Sequence, residues 1–97
     1  MDIKIQSVKF DADQKLIAFI EEKINKLSRY SDDIISAEVF LKLDKDVENG
    51  NKVATIKLLV KGEDLVAERQ CKFFEESVDL GVDAIRKQLE KHKSKVK

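Results

Sequence analysis

Apolar and polar residues alternate along four stretches of the chain, as they do in strands with one buried face. The first stretch is IKIQSVKF at residues 3–10, where a change of phase near Gln6 and Ser7 indicates a bulge. The second runs without a break from Ile35 to Leu43. The apolar positions of the third and fourth are Ala54, Ile56, Leu58 and Val60, and then Leu65, Ala67 and Cys71. The pattern predicts four short strands.

In two further stretches the apolar residues recur at the spacing of one helix face. The first is preceded by Asp11 and Asp13, either of which supplies an N-cap, and it extends to about Ser28. The second extends from about residue 74 to residue 93. The apolar stripes consist of Leu16, Ile20, Ile24 and Leu27 in the first helix, and Val78, Val82, Ile85, Leu89 and Val96 in the second. Both helices are therefore amphipathic.

The order of these elements (strand, helix, three strands, helix) predicts an α+β fold. The polar loop 44–52 contains Asn49 and Gly50, a pair that favours a tight hairpin turn, and residues 61–64 supply a second turn. The last three strands then form an antiparallel meander, and the crossover through the first helix lays the first strand beside them. We expect a two-layer sandwich of a four-stranded sheet with both helices on one face, in a single domain spanning residues 1–97.

The composition excludes several classes of protein. No apolar run approaches the ~20 residues that a membrane-spanning helix needs, and the N-terminus lacks the apolar stretch of a signal peptide. Cys71 is the only cysteine, which rules out an internal disulfide and a multi-cysteine metal site. We expect a cytoplasmic protein with no membrane partner. It is expected to be a monomer, because no heptad pattern or long exposed apolar strand calls for self-association.

Residues that carry catalysis are sparse. His92 lies at the edge of the second apolar stripe, and no motif fixes a Ser, Cys or acid near it, so we expect a structural or RNA-flanking role. Cys71, although next to Lys72, is expected to be a small core residue, and Phe73 and Phe74 are expected in the core or in a hydrophobic staple. No phosphate-binding loop, catalytic carboxylate pair or metal-ligand spacing is present. The sequence predicts a protein that is not an enzyme, with no cofactor, metal or small-molecule substrate.

Positive charge is concentrated at the end of the chain. Residues 86–97, RKQLEKHKSKVK, contain six Lys or Arg and one acid, in a chain of 19 basic and 19 acidic residues. On a helix, Lys87, Lys91 and Lys95 lie opposite the apolar stripe, and Arg86 flanks it. The ordinary alternative is that these cations only complement the helix dipole, which favours bases in the last turns.

The first helix carries a second group of cations on one flank, so both helices contribute to one basic surface. Such a surface suits folded RNA, whose recognition depends on phosphate contacts and shape. Phe40 and Tyr30 are candidates for stacking on RNA bases. The candidate RNA-binding residues are Lys23, Lys26, Arg29, Arg86, Lys87, Lys91, Lys93 and Lys95.

Nearly the whole chain resembles the ribosome hibernation promoting factor family, which includes the ribosome-associated inhibitor protein Y, in its short, single-domain form. In the first half, the matching residues are Phe19, Lys23, Lys26, Leu27 and Tyr30 on the first helix, with Val39, Leu41 and Lys42 on the second strand. In the second half, they are Val60, Gly62, Leu65 and Ala67 around the second hairpin, and Val78, Asp79, Asp83, Gln88, Leu89, Lys91, His92, Lys93 and Lys95 on the second helix. Ala84 and Asp33 stand where family members often carry basic residues, so we expect a thinner basic surface.

The resemblance implies a fold similar to double-stranded-RNA-binding domains and a partner, the small ribosomal subunit. It implies that the protein binds ribosomal RNA in the channel for messenger RNA and transfer RNA. There it would act without catalysis, as an inhibitor that holds ribosomes in an inactive, protected state under stress or in stationary phase. Two alternatives remain from the residues alone: a general structured-RNA-binding domain, and a protein-interaction module that uses its acidic surface.

Overall fold

The structure is a computed structural model that describes residues 1–45, 48 and 50–95, with the backbone alone for residues 93–95. Four strands and two α-helices follow one another in the predicted order. Their bounds are β1 Asp2–Ser7, α1 Gln14–Asn25, β2 Ile34–Leu43, β3 Lys52–Val60, β4 Glu63–Cys71 and α2 Phe74–Lys95, and a short 3₁₀ helix, Lys26–Arg29, continues α1.

The strands form one sheet in the order β1-β2-β3-β4. Strand β1 runs parallel to β2, with Ile3 beside Ala37, because the connection through α1 returns the chain in the same direction. The β2–β3 and β3–β4 pairs are antiparallel, and the second turn is only Lys61 and Gly62. The predicted α+β sandwich is confirmed.

Both helices bury their apolar stripes against one face of this sheet, and a single core cluster joins the two layers. The sheet contributes alternate residues from β2, β3 and β4, as the pleat requires. The buried members are Leu16, Ile20, Ile24, Leu27, Phe74, Val78, Ile85 and Leu89 from the helical layer, and Ala37, Val39, Leu41, Ala54, Ile56, Leu58, Val60, Leu65 and Ala67 from the sheet.

Two contacts set the position of α2 on the sheet. The buried Ser77 hydroxyl donates a hydrogen bond to the Lys52 carbonyl at 2.6 Å. One turn further, a Cβ added to Gly81 would lie 2.8 Å from Ile56 Cδ1, so the missing side chain lets the helix approach β3 closely. Together they fix which face of α2 is left for solvent.

The predicted first strand is too long and has no bulge. The register of β1 with β2 is unbroken from Asp2 to Ser7, and the strand then ends. Lys9 has φ 64°, a left-handed conformation that an extended strand cannot contain. The chain turns there, and the ring of Phe10 stacks on Phe74, with centroids 5.2 Å apart. The change of phase in the sequence marks the exit from the strand.

The ends of the helices differ slightly from those predicted. Of the two candidate caps, Asp13 is the one used, since its side chain accepts a hydrogen bond from the Leu16 N–H at 2.8 Å. Helix α1 tightens into the 3₁₀ helix before Ser28, and α2 continues to Lys95. Val96 lies outside the described residues.

Asn49 of the first predicted turn also lies outside the described residues, whereas Gly50 is described. It has φ +100°, and a Cβ there would lie 2.5 Å from the carbonyl carbon of Cys71. Only glycine suits this position.

Three apolar residues are less buried than their patterns predict. Ile35 is 55% exposed, because the register of β2 shifts between Ile34 and Ser36 and turns it outward. Phe73 is 67% exposed, so the core prediction is wrong for Phe73 and right for Phe74. Cys71, at the end of β4, is only half-buried.

Candidate nucleic-acid interface

Helices α1 and α2 lie side by side, and an open groove of about 160 Å³ runs between them. We call it the interhelical groove. Its apolar lining comes from Leu27 and Val82. Its polar and aromatic lining comes from Lys23, Lys26, Tyr30, Asp79, Asp83 and Arg86. Three of the predicted RNA-binding residues are therefore brought together at one place, from both helices.

Carboxylates accompany the cations of the groove. Lys23 Nζ lies 3.0 Å from Asp79 Oδ1, in an ion pair that joins the two helices. The Arg86 guanidinium reaches two acids of its own helix, Asp83 Oδ1 at 2.9 Å and Glu90 Oε1 at 2.8 Å.

Two further cations are each paired with an acid four residues earlier in the chain. Lys26 Nζ lies 3.6 Å from Glu22 Oε1, and Lys87 Nζ lies 3.5 Å from Asp83 Oδ2. Among the predicted RNA-binding residues, the paired cations are therefore Lys23, Lys26, Arg86 and Lys87, and their partners are Glu22, Asp79, Asp83 and Glu90. Exposed pairs of this kind contribute little to stability. Their main effect is that the formal charge of this set cancels.

The Asp83 pairs also change protonation equilibria. The hydrogen bond from Arg86 holds the pKa of the Asp83 carboxyl below its ordinary value, and the charge of Lys87 acts in the same direction. The same hydrogen bond raises the pKa of Arg86 above its already high value. At neutral pH, Asp83 is therefore an anion and Arg86 a cation, held beside each other.

An aromatic ring completes one end of the groove. Tyr30 follows the 3₁₀ helix and is 41% exposed, and the Arg86 guanidinium carbon lies 5.9 Å from its ring centroid. The distance is within the range of a cation–π contact. Phe40, the other stacking candidate, is half-buried on β2.

The remaining predicted RNA-binding residues lie away from the groove. Arg29 and Lys91 are exposed, and neither takes part in an ion pair within the described part of the chain. Lys93 and Lys95 lie on the last turn of α2, where the backbone alone is described. The outward direction of Lys95 stays a prediction.

His92 occupies a structural position. It is 6% exposed, and its Nδ1 contacts Oε1 of Glu63, the first residue of β4, so the end of α2 is tied to the sheet. Nearby, Gln88 Nε2 donates a hydrogen bond to the Val66 carbonyl at 2.9 Å. Sequence reasoning missed Glu63, because nothing local relates two residues that are 29 positions apart.

Sequence reasoning also missed the pairing of the groove cations. A signal existed for the pairs within one helix, because Glu22 and Lys26, Asp83 and Lys87, and Arg86 and Glu90 are each four residues apart. No such signal existed for Lys23 and Asp79, which come from different helices.

Neither of the described helices has a window apolar enough to cross a bilayer. Within residues 1–45, 48 and 50–92, no three His, Cys, Asp or Glu side chains are grouped as ligands for a metal ion.

The chain has relatives in sequence. The family described as sigma 54 modulation protein / S30EA ribosomal protein matches residues 3–97. A ribosome hibernation promoting factor from Azotobacter vinelandii is 32% identical over 95 residues, which cover 98% of this chain and 85% of that protein. The region matched by the family includes both helices and all of the sheet except Asp2.

Solved structures share the fold. A ribosomal subunit interface protein from Coxiella burnetii superposes with a TM-score of 0.82 at 22% identity, over 97% of this chain and 99% of that chain. The N-terminal domain of protein Y from Thermus thermophilus gives a TM-score of 0.83 at 22% identity, over 95% of this chain and 99% of that chain. The match over residues 3–97 and the relative from Azotobacter vinelandii show that the chain belongs to the sigma 54 modulation protein / S30EA ribosomal protein family, and they confirm its resemblance to the ribosome hibernation promoting factors.

Proposed function

We propose that this protein is a non-catalytic ribosome hibernation factor. It binds the small ribosomal subunit through ribosomal RNA in the channel for messenger RNA and transfer RNA. There it holds ribosomes in an inactive, protected state under stress or in stationary phase, in the cytoplasm. Support comes from membership of the family and from the relative that is named a ribosome hibernation promoting factor.

The observation that carries the proposal is the convergence of two helices on one charged surface. Lys23 of α1 and Arg86 of α2 line the same groove, although 63 positions separate them in the chain. Lys87 and Lys91 are exposed further along α2, and Lys91 lines a second pocket, with Glu63 and His92, on the side of β4. A charged surface built from two adjacent helices suits the grooved phosphate backbone of a folded RNA.

The ion pairs define how such binding would work. Phosphates that approach the paired cations must exchange with carboxylates already in place, and the exchange releases less net free energy than contact with a free cation. Arg29 and Lys91 lie outside the described ion pairs. We infer that, among the candidate residues whose side chains are described, these two supply most of the salt-dependent attraction, and that the groove supplies the shape that the RNA fits.

Sedimentation through a sucrose gradient with purified small subunits tests the proposal. The protein is expected in the subunit fractions, and saturating messenger RNA and transfer RNA are expected to displace it. Binding to free structured RNA, with none to subunits, would support a general RNA-binding domain instead. Binding to neither would favour a protein-interaction module that uses the acidic surface.

A further inference from the structure

The acids of the interhelical groove need an explanation if the groove meets RNA. Phosphates are repelled by carboxylates, yet Asp79 and Asp83 line the groove, and the Asp79 side chain is 60% exposed. A surface that contacted only phosphates would bind them more tightly without these two carboxylates. Their position suggests that part of the ligand offers hydrogen-bond donors. In RNA those donors are the ribose 2′-hydroxyl groups and the N–H groups of the bases, and only the bases present two N–H donors side by side.

The groove also carries the groups on which an unstacked base lies. Single-stranded RNA is read by stacking bases on aromatic rings and guanidinium planes, and by hydrogen bonds to their edges. Tyr30 and Arg86 provide one of each, 5.9 Å apart and both on the groove. The groove, of about 160 Å³ and open to solvent, has room for one planar ring system.

The two carboxylates are not equivalent. Both oxygens of Asp83 are engaged, Oδ1 with Arg86 and Oδ2 with Lys87. Asp79 makes a single described ion pair, from Oδ1 to Lys23, and its Oδ2 takes part in no contact described in residues 1–92. An ionised carboxylate is only an acceptor, with two oxygens that can receive a pair of N–H groups side by side. Asp79 is therefore the residue that can accept hydrogen bonds from the edge of a base.

Guanine matches such an acceptor best. Its Watson–Crick edge presents two adjacent donors, the ring N1–H and the exocyclic amino group, whereas adenine and cytosine each present one amino group beside an acceptor. Uracil presents one N–H between two carbonyl oxygens, which a carboxylate repels. The Asp79 carboxylate in the groove thus favours guanine over adenine, cytosine and uracil.

We propose that the interhelical groove takes one unstacked guanine of an RNA, stacked on the Tyr30–Arg86 pair with its Watson–Crick edge on the Asp79 carboxylate. The inference rests on the proposed function and names the chemistry that this surface reads. Lys23 holds Asp79 at the groove through the 3.0 Å ion pair, and so acts as a positioning residue.

The chain offers a direct reporter. It has one tyrosine and no tryptophan, so Tyr30→Trp places the only indole of the protein in the groove. Its fluorescence is measured against short uridine oligoribonucleotides that carry one central guanosine, inosine or uridine. Inosine keeps the N1–H and lacks the amino group. Binding of the guanosine oligonucleotide is expected to be about tenfold tighter than that of the other two, the range of one good bidentate contact.

Asp79→Asn, made in the Tyr30→Trp variant, tests whether Asp79 recognises the base. It is expected to abolish the preference for guanosine while binding of the uridine oligonucleotide does not weaken. Asp64→Asn is the matched control, because it also removes one exposed ion pair, with Lys57 at 3.6 Å, but at the β3–β4 turn. Equal binding of the three oligonucleotides, or a guanosine preference that survives Asp79→Asn, would overturn the proposal.

Kethoxal probing of small subunits gives a second readout on the unaltered protein. The reagent modifies the Watson–Crick edge of unpaired guanines. We expect one guanine to be protected by the natural protein and by Asp64→Asn, and to stay reactive with Asp79→Asn at saturation. Identical protection by all three would contradict the guanine site, although the ribosome-binding proposal would stand. Failure of the natural protein to co-sediment with subunits is the separate result that removes the proposed function.

Discussion

Lys23 Nζ and Asp79 Oδ1 lie 3.0 Å apart, and this ion pair links α1 to α2 across the groove. The Lys23 side chain is about one-third exposed and that of Asp79 nearly two-thirds, so water screens their attraction. The pair therefore positions the two helices' charged groups more than it stabilises the fold.

A double-mutant cycle measures this pair. Lys23→Met and Asp79→Asn should each change the free energy of unfolding slightly, with a coupling of about 0.2–1 kcal/mol, the usual range for exposed pairs. Urea unfolding monitored by circular dichroism gives all four values. A coupling of several kcal/mol would mean that the pair is a principal source of stability and that its charges are poorly available to RNA.

Asp83 pairs with two cations, and its removal should release Lys87, while Arg86 keeps Glu90 as a partner. Asp83→Asn is expected to strengthen binding to an unrelated RNA duplex and to make log affinity fall more steeply with log salt, by about 0.9 per additional phosphate contact. Filter binding at several salt concentrations measures both. Asp64→Asn is the control, because it frees Lys57 away from the helices and should leave the slope unchanged. An identical slope for Asp83→Asn would show that the pairs do not limit the available charge.

The pKa of Asp83 provides a test in the free protein. Because Arg86 lowers it, the contact stabilises the folded chain above the ordinary carboxyl pKa, and this contribution is lost as the pH falls through the folded-state value. Arg86→Leu should raise the pKa of Asp83, as followed by NMR of the carboxyl carbon. The pKa of Asp44, lowered first by the Lys45 amide and then by Gln70, should not change in that variant. An unmoved Asp83 would contradict the assigned cause.

His92 should matter for stability and not for recognition of RNA. His92→Ala removes a buried ring and the contact with Glu63, and should lower the free energy of unfolding by roughly 1–3 kcal/mol. Glu63→Gln should cost less, since the Glu63 side chain is partly exposed and the amide can still form a hydrogen bond. In His92→Ala, amide hydrogen exchange should be faster in the last turns of α2 than in the natural protein. Unchanged stability in His92→Ala would show that the contact does not hold the end of the helix.

The fold could be predicted from the sequence because its periodicities are local. Leu16, Ile20 and Ile24 mark one helix face by spacing alone, and the alternation from Ala54 to Val60 marks one sheet face. The failures arise where burial depends on something non-local. The exposure of Ile35 follows from a register shift against β3, which no pattern within β2 encodes.

The candidate site could be predicted only in part. Spacing along each helix places Arg86 and Lys87 outside the core, but it does not say which cations meet across the groove. The charge of an isolated lysine is visible in the sequence, whereas the carboxylate that neutralises it is not. Lys23 and Asp79 illustrate this, since their distance depends on how two helices pack on the sheet.

The most direct test of the account is co-sedimentation of a charge-reversed variant with small ribosomal subunits. Arg29, Lys87 and Lys91 are exposed on the helical layer, and each is replaced by Glu. In the control, Lys4, Lys42 and Lys57 are each replaced by Glu. These three residues lie on the face of the sheet that the helices do not cover. We expect circular dichroism to show that both variants are folded, and the control to bind subunits like the natural protein. The helical variant is expected to lose at least about tenfold in affinity, which corresponds to the loss of one or more contacts with phosphate. A folded helical variant that binds subunits as tightly as the natural protein would contradict the account.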